Sequence, residues 1–215
     1  MNTDKAKAER RVHRRGLPAR QAGAESAEKS ESEKEPTTIW TIGHSTRPLE
    51  ELIAALRAHG IEVLVDVRAF PASRRNPQFS RESQDRELPK AGIEYVWLGA
   101  ALGGRRRGVK NSPDVALRSE SFRAYAHHMR SAAFREGIEE LLKLAATKRT
   151  AIMCAELLWW NCHRSMISDY LSAAPGVEVR HIRDAEHSDE HRMKAEARVE
   201  GDSLFYDLGE TRRLV

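Results

Sequence analysis

The sequence predicts an α/β fold: a three-layer, Rossmann-like domain with a mostly parallel sheet of about five strands and helices on both faces. The first observation behind this is alternation. Short apolar, β-branched runs alternate with segments of helical period from Ile39 to Ile182. The second is the run Val63-Leu-Val-Asp-Val67, nearly continuous in apolar residues, as in a strand covered on both faces. The third is punctuation, since glycine or proline stands at many of the pattern changes.

The elements follow in order. Ile39-Trp-Thr-Ile-Gly43 reads as the first strand. Pro48 opens a helix with Leu49, Leu52, Ile53 and Leu56 on one face and Gly60 past its end. The second strand is the run ending at Val67, followed by a polar segment with Pro71, Pro77 and Phe79. A short helix is expected over residues 80–90, stopped by Gly92, and a strand over Glu94-Tyr-Val-Trp-Leu98. Gly103-Gly-Arg-Arg-Arg-Gly108 is a loop. Residues 119–146 read as helical, with Phe122, Tyr125, Met129 and Phe134 inward and room for a break near Ser131. Then come a strand over 150–154, a helix over 164–173 and a strand over 177–182. A charged helix is expected over 188–199, with His187 and His191 on a solvated face, and Leu204-Phe-Tyr206 as an edge strand.

The chain has 215 residues, a net charge of +4 and a pI near 9.2, with 40% hydrophobic and 32% charged residues. Residues 1–37 are expected to be a disordered charged tail, basic and then acidic, and 38–215 a single domain. The basic half is either an arm for nucleic acid or a solvated tail. No apolar run approaches membrane-spanning length, and the N-terminus lacks the apolar core of a secretory signal. Two cysteines make no disulfide framework, so a cytoplasmic, reducing setting is expected. The positive balance mildly favours an anionic small molecule or nucleic acid as partner. No cofactor and no oligomeric state is specified by these residues.

In parallel sheets the ligand crevice lies beyond the carboxyl ends of the strands. The residues expected there are His44 and Ser45 after strand one, Asp66 and Arg68 with Arg74 after strand two, and Arg105 after strand three. Cys154, Glu156, Cys162, His163 and Arg164 follow strand four, and His181 lies in strand five. His44, Asp66, Glu156, His163 and the two cysteines are the candidates for proton transfer or nucleophilic attack. Ser45, Arg68, Arg74, Arg105 and Arg164 are the candidates for holding an anion. Asp66 and Arg68 share one strand face and are equally readable as a structural ion pair. Cys162, at a helix start beside His163 and Arg164, is placed for a lowered thiol pKa, and Cys154 for a raised one. Cysteine and histidine suit zinc, but the short paired spacing of a structural zinc site is absent, so no metal is assigned. Trp159 and Trp160 either stack on a base or pin the loop.

Thr41-Ile-Gly-His-Ser45, Asp66-Val-Arg68 with Ser73-Arg74, Leu102-Gly-Gly-Arg105, Met153-Cys-Ala-Glu156 and Cys162-His-Arg164 together resemble the DUF488 family of prokaryotic proteins. The resemblance covers residues 39–182, and implies an α/β fold with a strand-end cluster of this kind. It implies no reaction. Three functions remain open: a small enzyme acting on an anionic, nucleotide or nucleic-acid-derived substrate, a nucleic-acid-binding or regulatory module without catalysis, and rhodanese-like sulfur transfer. The third is weakened by the longer gap from Cys154 to Arg164, and by Glu156, a poor neighbour for a thiolate.

Overall fold

The structure, a computed structural model, describes residues 36–72, 75–108 and 110–207. In chain order the elements are β1 (Thr37–Gly43), α1 (Leu49–Ala58), β2 (Val63–Asp66), α2 (Arg81–Glu87), β3 (Glu94–Trp97), α3 (Gly99–Leu102) and α4 (Glu120–Met129). They continue as α5 (Ala132–Ala145), β4 (Thr150–Cys154), α6 (Arg164–Ser172), β5 (Val177–Ile182), β6 (Ser188–Glu190), β7 (Arg198–Glu200) and β8 (Ser203–Phe205). The main sheet has six strands in the order β3-β2-β4-β1-β5-β6. Strands β1 to β5 run parallel, and β6 joins β5 antiparallel at the edge. The expected three-layer α/β architecture is therefore present, with one strand more than expected.

Strand periodicity divides the interior in two. Ile39, Val65, Ile152 and Val179 pack with Tyr125 of α4, Phe134 of α5 and Met166 of α6. The alternate residues Trp40, Ile42, Leu64 and Met153 pack on the other face with Leu52 and Leu56 of α1 and with Phe79 and Leu88. Burial of each such aliphatic side chain contributes about 1.5–3 kcal/mol. Because β2 faces both cores, Val63, Leu64, Val65 and Asp66 are all fully buried. The carboxylate among them must then find partners inside the protein.

The long helical stretch divides where its sequence left room. Ser131 takes an extended conformation and its hydroxyl accepts the Phe134 N–H at 3.2 Å, starting α5 afresh after α4. Gly92 adopts φ +77 and ends the turn after α2.

The C-terminal region corrects the sequence reading. The charged helix expected over 188–199 does not form. Instead β6 pairs Ser188, Asp189 and Glu190 with Ile182, His181 and Arg180. Local composition favoured a helix, but the open edge of β5 offers backbone hydrogen bonds, and His191 moves inside to 7% exposure. Leu204 and Phe205 do enter a strand, but β8 pairs only with β7 in a separate two-stranded ribbon. The tail expected over residues 1–37 lies outside the described residues except at Pro36 and Thr37, where β1 already begins. Among the described residues no helix is long and apolar enough to cross a membrane.

Candidate functional site

The carboxyl ends of β2, β4 and β1 lie side by side, and the loops leaving them wall a cleft of about 470 Å³. Arg68 follows β2, Arg105 follows α3, and Cys154, Glu156, Cys162 and His163 belong to the passage from β4 to α6. Phe70 and Phe122 supply apolar wall, and Asn161 an amide. The volume falls in the range of small-molecule sites.

Two glycines let these walls approach. A Cβ on Gly43 would overlap the Glu156 carbonyl oxygen and meet Arg164 Nη2 at 2.8 Å. A Cβ on Gly104 would stand 2.7 Å from His163 Nδ1. Both positions therefore exclude a side chain for reasons of space rather than of backbone torsion.

The two thiols meet. Cys154 Sγ and Cys162 Sγ are 3.2 Å apart, and both cysteines are free. Arg164 Nε donates to Cys154 Sγ at 3.0 Å, and the Arg164 backbone N–H donates to Cys162 Sγ at 3.4 Å. The Glu156 N–H donates to Cys154 Sγ at 3.3 Å. Two buried thiols this close do not both ionise readily, so their titrations are pushed apart. Burial, and then the bond to Cys162, push the Cys154 thiol well up. The hydrogen bond from Cys154, with His163 and Arg164 beside it, pulls Cys162 well below the ordinary thiol range against the opposing effect of burial. The thiolate is thus Cys162, at the start of α6, where the helix dipole also favours negative charge.

Arg164 faces inward. It is 1% exposed, and besides Cys154 its guanidinium donates to Thr41 Oγ1, the Glu156 carbonyl and the Leu157 carbonyl. Expected as an anion clamp for substrate, it instead has the thiol pair as its counter-charge.

Asp66, Arg68 and His44 form a second buried unit. Asp66 accepts the Arg68 backbone N–H at 2.9 Å and the Arg68 guanidinium at Nε and Nη2. The Tyr95 hydroxyl donates to the same carboxylate at 2.7 Å. Burial and the Asp66 charge push the Tyr95 hydroxyl well up, so it stays a donor. Arg68 Nη1 donates to His44 Nε2 at 3.0 Å, and His44 Nδ1 donates to the Ser45 carbonyl at 2.8 Å. Both ring nitrogens of His44 are therefore engaged. Burial, and then the Arg68 charge, lower its pKa to about 4, so the ring is neutral at ordinary pH. Asp66, closed off by its four donors, and His44 have no free atom for a substrate. Their effect is to hold Arg68, which lines the cleft with two of its five N–H groups not engaged among the described residues.

A third buried chain runs away from Arg164. Arg164 donates to Thr41, whose hydroxyl meets His181 Nδ1 at 2.8 Å. His181 Nε2 meets His191 Nδ1 at 3.0 Å, and His191 Nε2 donates to Asp169 Oδ1 at 2.9 Å. Arginine only donates and a carboxylate only accepts, so the directions at the two ends of this chain are fixed. Burial, and then His191, lower His181 to about 2, which keeps that ring neutral. Lys194 Nζ and the Tyr206 hydroxyl also donate to Asp169.

The family model described as "Domain of unknown function DUF488" matches residues 48–171, more than half of the chain. The chain belongs to the DUF488 family. The matched span of this DUF488 domain carries Asp66, Arg68, Arg105, both cysteines, Glu156, His163 and Arg164. His44, His181 and His191 lie outside it. No curated protein and no solved structure matches the chain.

The remaining expected residues of the DUF488 domain divide clearly. The Glu156 side chain is exposed at the cleft and forms no ion pair among the described residues. Arg164 reaches only the backbone carbonyl of Glu156. His163 donates from Nε2 to the Val67 carbonyl at 3.0 Å. Arg105 is exposed, 5.9 Å from the Phe70 ring, and lines the cleft. Arg106 donates to the carbonyls of Ala100, Ala101 and Gly103. Ser45 adopts φ +48, does not line the cleft, and donates its N–H to the Ala155 carbonyl at 3.0 Å; Arg74 lies outside the described residues. Trp159 stacks flat on His181 at 3.9 Å, which takes it from any base, whereas Trp160 is half exposed. Among the described residues no cluster of three or more His, Cys, Asp or Glu side chains is arranged for a metal ion. Tyr95, Asp169 and the inward role of His191 carry no local signal in the sequence. Only strand register brings Tyr95 to Asp66 and sets Thr41 opposite His181.

Proposed function

We propose that this protein is a small thiol-dependent enzyme acting on an anionic small molecule. Cys162 is its nucleophile, and Arg68 and Arg105 bind the anion. The observation that carries the reading is the paired thiol site, with Cys154 and Cys162 sulfurs 3.2 Å apart in the wall of a cleft that Arg68 and Arg105 also line. A thiolate is the reactive form of cysteine, and a depressed pKa keeps it populated at neutral pH. Arg68, fixed by Asp66 and His44, presents its open N–H groups at no further conformational cost. His163 and Glu156 line the same cleft and are the groups of the right chemistry to exchange a proton there.

The test is alkylation of Cys162 by iodoacetamide at neutral pH, with inorganic phosphate, pyrophosphate or a nucleoside monophosphate as competitor. At least one anion is expected to protect Cys162, and Arg105→Ala is expected to abolish the protection. No alkylation of Cys162 in the folded protein would overturn the reading. Binding of nucleic acid that weakens steeply with salt and survives Cys162→Ser would favour a binding module instead.

A further inference from the structure

We infer that Cys154 is a resolving thiol, and that the pair cycles between dithiol and intramolecular disulfide by reducing acidic low-molecular-weight disulfides bound in the cleft. The inference rests on the proposed role of Cys162 and adds a second thiol and a substrate class. Three observations carry it.

The first is distance. The sulfurs stand 3.2 Å apart with no group between them, so about 1 Å of approach makes a bond. They also come from separate pieces of backbone, the end of β4 and the turn before α6, so rotation of either side chain changes the gap.

The second is access. Both cysteines line the same cleft, so an adduct on Cys162 lies within reach of Cys154. Both are also almost wholly removed from solvent otherwise, at 2% and 5% exposure. Reagents therefore arrive through a cleft that carries Arg68 and Arg105, which selects for negative charge.

The third is Arg164. Its other guanidinium partners are neutral oxygens, so the thiol pair as a unit is its source of counter-charge among the described residues. Forming a disulfide removes that charge and leaves a buried guanidinium without a counter-ion. The bridge is therefore open to reduction by a second thiol, which closes the cycle and marks a turnover state rather than a structural disulfide.

The chemistry balances in two exchanges. The Cys162 thiolate attacks one sulfur of the disulfide RSSR, forming Cys162–S–SR and releasing RS⁻. Cys154, giving up its proton, then attacks Cys162 Sγ, forming the Cys154–Cys162 bond and releasing the second RS⁻. The protein is oxidised by two electrons, and RSSR is reduced to two thiols. A second thiol or dithiol restores the pair by the reverse exchange.

The experiment uses the full chain and oxidised glutathione, each half of which carries two carboxylates and one ammonium, against cystamine, a cationic disulfide. Products are read by intact mass and peptide mapping. The expected result in the wild type is loss of two hydrogens and a Cys154–Cys162 peptide, formed roughly tenfold faster with oxidised glutathione than with cystamine. Cys154→Ser and, should it fold poorly, Cys154→Ala are expected to stop at a mixed disulfide on Cys162. A mixed disulfide that persists on Cys162 in the wild type would refute the resolving role. Equal rates with the two reagents would refute the acidic substrate class. Rapid alkylation of Cys162 with no reaction toward either disulfide would sink this inference and leave the thiol-enzyme reading standing. Failure of Cys162 to alkylate at all would remove both.

Discussion

Replacing Asp66 by asparagine tests the most densely bonded unit of the site. Asp66 is fully buried, and its carboxylate has four donors: the Arg68 N–H, Arg68 Nε and Nη2, and the Tyr95 hydroxyl. Asparagine keeps the volume but turns one acceptor oxygen into an NH2 group. In either amide orientation that NH2 faces donors, and Arg68, 8% exposed, loses its counter-charge. Breaking a buried pair from one side costs about 3–5 kcal/mol. At roughly 2–4 °C per kcal/mol for a domain of this size, Asp66→Asn should lower Tm by about 6–20 °C. Tyr95→Phe removes one hydrogen bond to a charged group and should cost about 1.5–3 kcal/mol. The double variant Asp66→Asn/Arg68→Met removes both charges and should be more stable than Asp66→Asn alone. Calorimetry or denaturant titration of the four proteins gives the comparison. A Tm loss of less than about 3 °C for Asp66→Asn would refute the reasoning, as would a double variant no more stable than the single.

Three further outcomes are expected. Alkylation of Cys162 should change less than about twofold between pH 8 and pH 6, where an ordinary thiol slows roughly 75-fold, and Cys154 should label more slowly throughout; faster labelling of Cys154 would reverse the two roles. His44 and His181, held down to about 4 and about 2 against 6.5 in the unfolded chain, take up protons on unfolding, so their contribution is complete above pH 6.5 and is lost as pH falls toward 4. Each should contribute a slope of about 1.4 kcal/mol per pH unit in that window, and urea titrations of His44→Gln and His181→Gln should show the slope reduced; an unaltered slope in both would count against the buried neutral rings. Gly43→Ala should destabilise by about 2 kcal/mol or more and slow Cys162 alkylation, because the new methyl displaces the Glu156 carbonyl and Arg164; a fold and a rate like the wild type's would contradict the close packing there.

Much of the architecture is determined locally. The β2 run can be buried on both faces only in a sheet with helices on each side, and alternating strand and helix patterns then require parallel strands. That places the candidate residues at the carboxyl ends of the strands. Cys162-His-Arg164 at a helix start already indicated the direction of the thiol pKa, because the dipole and the flanking cation act over neighbouring residues. What the sequence left undetermined depends on contacts distant along the chain. Arg164 has the same charge facing inward or outward, and only the approach of Gly43 to the β4–α6 loop aims it at Cys154 and Thr41. Nothing local distinguishes a solvated His191 from one bonded to Asp169, 22 positions away, and helix propensity in 188–199 pointed the wrong way. The meeting of Cys154 and Cys162 likewise needs the turn between them to fold back, a geometry set by packing Trp159 onto His181 and Arg164 beneath the loop. Propensity and periodicity act over a few residues, whereas a buried polar atom takes whatever partner the tertiary fold delivers.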